Sequence, residues 1–508
     1  MITTDVSIEL SAVDRRLQAT GMHIETAIAV LGGLILLVVD AWGLSLIPLV
    51  ANMEKTYSLT PSEASWSLSA AGLVAAGCVP TLARLGDRVG MRPLVLASLA
   101  LGVVANVICA VAPGFGLLLF GRAILGASAA LPLVYAILRA RGTSGPRVTR
   151  GISILTAAAG VGVAVAYLMS GLIIQANGSV RTVFWVISAL AAISLVVARF
   201  YLPDSHGRQT EPLDWGGAVG VSVGLVGIVL AITEGNTWGW TSAGTLASLL
   251  GGIAVLGLWA LYEMRRSNPL INVVRVMNRI AAPSFVVIAV LGTLAIYTNL
   301  AQATYLQLPT VTGYGLGLTV LQSSLALCTI SVALLIGGLA AHPVITRFGP
   351  RPVMVISSLI IAANFVVLAY SHHGLWHFLV WDVIWGFVWA FDYTAAITAY
   401  MHDATPAEAA MYSSANTVIA SAVGGVGPAI FTAILTSKFI PHTPIPDPVV
   451  FKSMWIYAAI AMVVIGLLAL LVRRPRFVVS ELPGHTSDPV GDAEAPPHGS
   501  VTAGPEPA

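Results

Sequence analysis

The chain has 508 residues, of which 57% are hydrophobic and only 9% charged, against roughly a quarter charged in an ordinary soluble protein. A soluble domain cannot cover that much apolar surface, so the composition excludes one and implies a polytopic membrane protein. The net charge of +2 leaves no basic excess for a nucleic-acid partner.

A membrane-spanning helix needs roughly 20 mostly apolar residues. Residues 1–22 hold Arg15 and Arg16 but no short apolar stretch ending in a small-residue cleavage site, so they read as a cytoplasmic N-terminus before a retained helix. Apolar runs then follow at 25–49, 64–83, 93–112, 115–138, 151–174, 182–201, 215–234, 243–263, 282–306, 317–340, 353–370, 374–400, 411–436 and 453–472. That is fourteen predicted spans. Asp40 interrupts the first and Arg122 the fourth. Cys78, Cys109 and Cys328 are far apart within apolar runs and read as buried single thiols. The polar segment 202–214 ends at Asp214, placed to cap the seventh run. Glu234 reads as a solvated rim residue after that run. His342, His372, His373 and His377 read as surface histidines near helix ends. No residue set has metal-ligand spacing and none implies a cofactor. The tail beyond 476, rich in Pro, Gly, Asp and Glu, reads as disordered.

With both termini in the cytoplasm, the inner side receives twenty of the basic residues, among them Arg84, Arg88, Arg92, Arg347 and Arg351. The outer side receives only Lys55, Arg181, Lys438 and Lys452. This is a strong positive-inside bias, and a missed span would scramble it from that point on.

The loop after the second span, "ARLGDRVGMRPLVL", has a counterpart after the tenth, "ITRFGPRPVMVI". Arg88-Val89-Gly90 aligns with Arg347-Phe348-Gly349, and Arg92 with Arg351. Each copy follows the second helix of a six-helix set if spans seven and eight are an inserted hairpin, which marks an internally duplicated transporter. The sequence here resembles the major facilitator superfamily, in particular its fourteen-helix drug:proton antiporter branch. Leu85, Asp87, Arg88, Gly90 and Arg92 match the family's loop signature, with Ala83 at the first Gly and Met91 at the ninth position. "VVDAWGLSLIPLV" supplies the branch's aspartate (Asp40) and proline (Pro48), and "GRAILGASAA" keeps its Arg122 and Gly126. The branch's Gly-Pro pair late in helix five, tied there to antiport, falls instead on Ala166-Tyr167. The resemblance covers about residues 25–475. It implies an all-α major facilitator fold: an N-terminal six-helix bundle over 23–201, linker and hairpin over 202–268, a C-terminal bundle over 269–475, and a cytoplasmic tail over 476–508. It further implies a monomer in the cell membrane that moves small molecules and protons across the bilayer.

In such a fold spans one, four, nine and twelve line the central cavity. The buried charges Asp40, Arg122, Asp382 and Asp392 all fall on them, joined by Tyr297, Asn299, Gln302 and Tyr305 of span nine. An ionisable group at mid-membrane costs roughly 2.5–3.5 kcal/mol on insertion scales and usually marks function. Asp382, Trp385, Trp389 and Asp392 lie within roughly an 80° arc of one helix, and indoles between carboxylates suit a lipophilic cation. The acids could instead be structural locks, paired with Arg122 or a backbone donor. Asp40 with Arg122 reads either as a proton site, its carboxylate responding to burial and to the nearby cation, or as a fixed ion pair joining two helices. Asp87, Arg88, Gly90 and Arg92 read as a conformational latch, with Asp87 near the start of the third helix.

The leading expectation is proton-coupled efflux of amphipathic or cationic compounds by alternating access. The alternative is a metabolite or lipid-like solute facilitator without proton exchange, favoured by the missing proline. No nucleotide loop, metal-ligand pair or nucleophile triad points to an enzyme. Labelling of single cysteines in intact cells tests the predicted topology: positions 438 and 452 should react with an impermeant thiol reagent and position 88 should not. Reaction at 88 overturns it.

Overall fold

Long apolar segments bounded by capping residues become helices because hydrocarbon offers the backbone no other hydrogen-bond partners. The computed structural model describes residues 24–128, 161–202, 214–266, 269, 271–278, 281–401, 406–443 and 445–472, with the backbone alone at Asp40 and Asp87. The predicted N-terminus, the tail and parts of the loops around spans four, five and seven lie outside the described residues. The described spans are α1 (Ile24–Leu44), α2 (Pro61–Val89), α3 (Met91–Val111), α4 (Phe115–Gly126), α5 (Val161–Gln175), α6 (Val180–Tyr201) and α7 (Trp215–Trp238). They continue as α8 (Ala243–Met264), α9 (Ala281–Gln307), α10 (Val320–Phe348), α11 (Pro350–Tyr370), α12 (Leu375–Met401), α13 (Pro406–Leu435) and α14 (Pro448–Ala469). Each predicted apolar run overlaps one of them, and residues 129–138 of the fourth run and 151–160 of the fifth lie outside the described residues. Among the described residues ten are long and apolar enough to cross a membrane, α4 and α5 are shorter apolar pieces, and α1 and α12 fall in neither group.

The duplication is visible in the geometry. Helices α2 and α10 each span 29 residues and each starts in a capping box, Thr60 with Glu63 and Thr319 with Gln322. In both, the cap side chain accepts from the third backbone N–H while the third side chain accepts from the cap N–H. Each helix ends on one glycine with positive φ, Gly90 at 96° and Gly349 at 82°, and the next helix starts at the following residue. An L side chain at either position would be strained. The two aligned sequence loops are therefore single-residue turns.

This shifts two expectations. Helix α2 runs through Val89, so Asp87 lies in its last turn rather than at the start of α3. Helix α1 stops at Leu44 instead of continuing to 49, and a 3-10 turn over Ile47–Leu49 follows. Pro48 has no N–H to offer the helix and restricts Ile47 before it. Asp40 consequently sits about one turn from the end of α1.

Helices α3 and α4 pack with α2, α3 also packs with α6, and α1 packs on α6. In the second half α10 lies along α12, α11 packs between α12 and α14, and α9 contacts α12, α13 and α14. The hairpin α7–α8 rests against both α2 and α13. Asp214 caps α7 as expected, accepting from Gly217 N at 2.9 Å. Glu234 is half-buried rather than solvated: its Oε1 accepts from Ser62 Oγ and, at 3.2 Å, from Trp66 Nε1. Two residues on, Asn236 donates to Ala433 O at 2.5 Å and to Thr436 Oγ1 at 2.9 Å. The end of α7 is thus bonded to α2 on one side and α13 on the other.

The two halves meet most closely where α2 crosses α13. Ser69 Oγ donates to Gly425 O at 2.6 Å, and a Cβ on Gly72 would stand 2.6 Å from Gly425 N and 2.7 Å from Ser421 O. Small residues are the general means of close helix approach in membranes. Gly72→Val should therefore lower stability by about 1–3 kcal/mol. Gly43→Val, where a Cβ meets nothing within 4 Å, is the control. Equal melting temperatures for the two purified variants would show that the seam tolerates a side chain.

Candidate functional site

The polar side chains predicted for spans nine and twelve are mostly buried, and they separate into three groups. In the first, Asp382 has 0% exposure, and its Oδ2 accepts from Gln302 Nε2 of α9 and Thr329 Oγ1 of α10, both at 2.9 Å. Its Oδ1 and the Oε1 of Gln302 have no hydrogen-bond partner. Among the described residues no cation is paired with it; the one ion pair described is Lys438 with Asp447, far along the chain. In the second, Asp392 also has 0% exposure but turns the other way: its Oδ2 accepts from Ser358 Oγ of α11 at 2.7 Å. Neither acid is held by Arg122 or by a backbone donor, the partners considered from sequence. Both are held by neutral side chains.

The indoles divide likewise. Trp385 is buried against Phe365 of α11 at 5.1 Å and stacks with Trp381 at 5.9 Å. Trp389 faces α9, donating to Leu291 O at 3.3 Å and stacking on Tyr393 at 4.7 Å. The acid–indole stripe is real as helix spacing, but its members touch α9, α10 and α11 rather than one opening. A stripe fixes an angle on its own helix; which neighbours stand there is decided by packing.

Span nine also divides. Tyr297 is 2% exposed and donates to Met454 O of α14. Tyr305 donates to His372 O at 3.2 Å and sits among Phe378, Phe451 and Trp455 at ring distances of 5.2–5.6 Å. His372 belongs to that aromatic group, 4.9 Å from Trp455. Burial in the α11–α12 connection pushes its imidazole below the ordinary value, so it is not the surface histidine expected. Asn299 forms the third group. Its Nδ2 donates to Tyr167 Oη of α5 at 3.2 Å, a hydrogen bond between the two halves. Tyr167 is 1% exposed and stands where the resembling branch has proline.

Further contacts between halves lie at the same end, while at the other end of α2 Arg84 donates to Pro269 O. Gln307 Nε2 donates to Pro48 O at 2.9 Å, and Cys328 Sγ to Ala164 O at 3.6 Å. With Ser69 and Gly425, these contacts all fall within about 17 Å of the outer helix ends, at 1.5 Å per residue. The structure is closed toward the side that the charge bias names outer.

Arg122 is 2% exposed and donates Nε–H to Ser67 O of α2 at 2.9 Å. The side chain of Asp40 is not described, and the predicted pair with Arg122 falls outside the described residues. Of the expected latch, Gly90 makes the turn, Arg88 is exposed, and Arg92 donates to Arg199 O of α6 at 2.7 Å. Sequence reasoning missed Thr329, Ser358 and Tyr167. Hydroxyls in apolar runs are poor signals because they commonly bond their own helix, as Thr329 also does at Ala326 O. Tyr167 could have been found as the residue displacing a family proline.

A family model described as Major Facilitator Superfamily matches residues 30–428. The chain is 28% identical over 223 residues to the major facilitator superfamily multidrug transporter mfsC of Aspergillus fumigatus, a match covering 44% of this chain and 43% of that protein. It is 26% identical over 412 residues to the multidrug resistance protein Stp of Mycobacterium tuberculosis, covering 78% and 74%. The crystal structure of the nucleoside transporter NupG superposes with a TM-score of 0.61 at 16% identity, covering 89% of this chain and 99% of that one.

Tyr167→Phe removes the bond to Asn299. A net loss of about 1 kcal/mol, typical of one buried hydrogen bond, would raise the outer-open population about fivefold. With Cys78 and Cys109 replaced by Ala, labelling of Cys328 from the outer side should rise by that factor; equal labelling would show that the bond does not hold this side closed.

Proposed function

Because the chain belongs to the major facilitator superfamily and is a small-molecule transporter, we propose that it exports amphipathic or cationic compounds, driven by protons, through alternating access. The observation that carries this reading is Asp382, a wholly buried carboxylate whose described partners are an amide and a hydroxyl. Burying an acid without a cation is a standing cost that a bound proton or a cationic substrate relieves. It lies about 10 Å below the outer end of α12, and its partner Gln302 is three residues along α9 from Asn299, which bonds Tyr167 of the other half. A group there changes surroundings when the halves part.

In this proposal Asp382 responds to substrate charge, and Trp389 with Tyr393 offers an aromatic face nearby on the same helix. Asp392, turned toward α11, supports the packing of the C-terminal half. Asp40 carries the driving proton, with Arg122 as its electrostatic partner, on the ground that it is the lone acid of the first span. The arginines beside Gly90 act on the inner side as the halves rock. The names of the multidrug relatives support an export role. The placement is the multi-pass cell membrane with both termini inside, following the charge bias. Facilitated movement of a polar metabolite is the second reading. It is favoured by Ala166-Tyr167 in place of Gly-Pro and by the amides Asn299, bonded to Tyr167, and Gln302, bonded to Asp382.

Transport in sealed vesicles with an imposed pH gradient separates the two, using lipophilic cations, neutral amphiphiles and nucleosides as probes. Asp40→Asn should abolish the response to the gradient while the protein remains folded. Asp382→Asn keeps an oxygen for Gln302 and Thr329. It should lower transport of cations relative to neutral compounds about tenfold, equivalent to about 1.4 kcal/mol. An unchanged ratio makes Asp382 structural. Movement of nucleosides without any gradient dependence favours the facilitator.

A further inference from the structure

A crevice of about 580 Å³ lies where the hairpin meets the C-terminal half, between the end of α7, the end of α13 and the start of α14. All three helices terminate there, which places the crevice at a membrane boundary. Its lining is mostly apolar, with Ile232 from the hairpin and Ile434 and Val449 from the C-terminal half, interrupted by Asn236, Ser437 and Ser453. Trp240 and Tyr457 stand at the crevice about half-exposed, at 53% and 54%. Such rings, with an apolar body and a polar tip, favour the depth of lipid headgroups.

The crevice also has a charged rim with fixed geometry. Lys438 lines it, and its Nζ is 3.0 Å from Asp447 Oδ2, the two side chains being 59% and 17% exposed. Asp447 is held in place from three directions. Its Oδ1 accepts from Val449 N at 2.9 Å as the cap of α14, its own N–H donates to Lys438 O at 3.0 Å, and an antiparallel bridge between Phe439 and Pro446 closes the loop. The cap bond first, and then Lys438, keep its carboxyl below the usual carboxylate range, so the rim presents one positive and one negative group at neutral pH.

A mostly apolar crevice beside a pair of opposite charges matches a molecule with the same division. We propose that the crevice binds one zwitterionic aminophospholipid of the adjoining leaflet, its phosphate on Lys438, its ammonium on Asp447 and an acyl chain between Ile232 and Ile434. A lipid with a net negative headgroup satisfies Lys438 but meets Asp447 with like charge. One whose amine is trimethylated gives up the hydrogen bonds to the carboxylate. The site exists only because the inserted hairpin supplies one wall, and it is independent of which solute the transporter moves.

Native mass spectrometry of the full-length protein tests this directly. The purified protein is equilibrated with equal amounts of phosphatidylethanolamine, phosphatidylglycerol and phosphatidylcholine of matched acyl chains. One phosphatidylethanolamine should be retained in preference to both others. Lys438→Gln, at a mostly exposed position, should lower that retention about tenfold. Ser453→Trp, which fills the crevice from α14, should remove it with Lys438 intact. Equal retention of the three lipids by the wild-type protein, or retention unaltered in both variants, overturns the proposal. So does competition by soluble glycerophosphoethanolamine at the same concentration as the lipid, which would show a headgroup pocket and no acyl slot.

Discussion

Hydrocarbon supplies no hydrogen bonds, and the interior of this protein is arranged around that lack. Backbone groups are satisfied by helices, and polar side chains must find partners inside the bundle or on their own helix. Many do the second: Thr81, Thr293, Thr298 and Ser421 each bond the carbonyl four residues back. The polar groups that reach another helix are consequently informative. Arg122 reaches Ser67 O, Gln302 and Thr329 reach Asp382, Ser358 reaches Asp392, and Asn299 reaches Tyr167. Each bond spans two elements that packing alone would leave free to slide.

The same lack makes the seam between halves a matter of backbone shape. Association in lipid gains little from burying one apolar surface against another, so close contact and hydrogen bonding must supply the attraction. Gly72 permits α2 to lie against α13, and Ser69 bonds Gly425 O beside it. The hairpin helix α7 crosses that seam, with Glu234 bonded to α2 and Asn236 to α13. An inserted hairpin could have been a passive addition at the edge. Its end is instead bonded to both halves.

The two intramembrane acids of α12 show how one helix serves two purposes. Asp382 looks toward α9 and α10, beside the contact with α5, whereas Asp392 is held by Ser358 among α11 and its neighbours. They stand about 15 Å apart along the axis. The two acids therefore stand in different surroundings although they share one helix.

Hydrophobic run length determined where the described apolar helices fall along the chain, because a membrane helix must reach across a fixed thickness of hydrocarbon. Turn chemistry determined the duplication: an arginine two residues before a glycine, twice in matching places, became two single-glycine reversals at Gly90 and Gly349. The matching capping boxes at Thr60 and Thr319 came to light only in the structure, as a second mark of the same duplication. Periodicity put Asp382, Trp385, Trp389 and Asp392 on one face, but it could not say that this face meets three different helices. Nor could it pair Asp382 with Gln302 and Thr329, or Asn299 with Tyr167, which are 80, 53 and 132 residues apart. Those partners were chosen by tertiary structure, for a physical reason: a sequence specifies what a buried polar group requires, whereas the helix that supplies it is set by how the bundle packs.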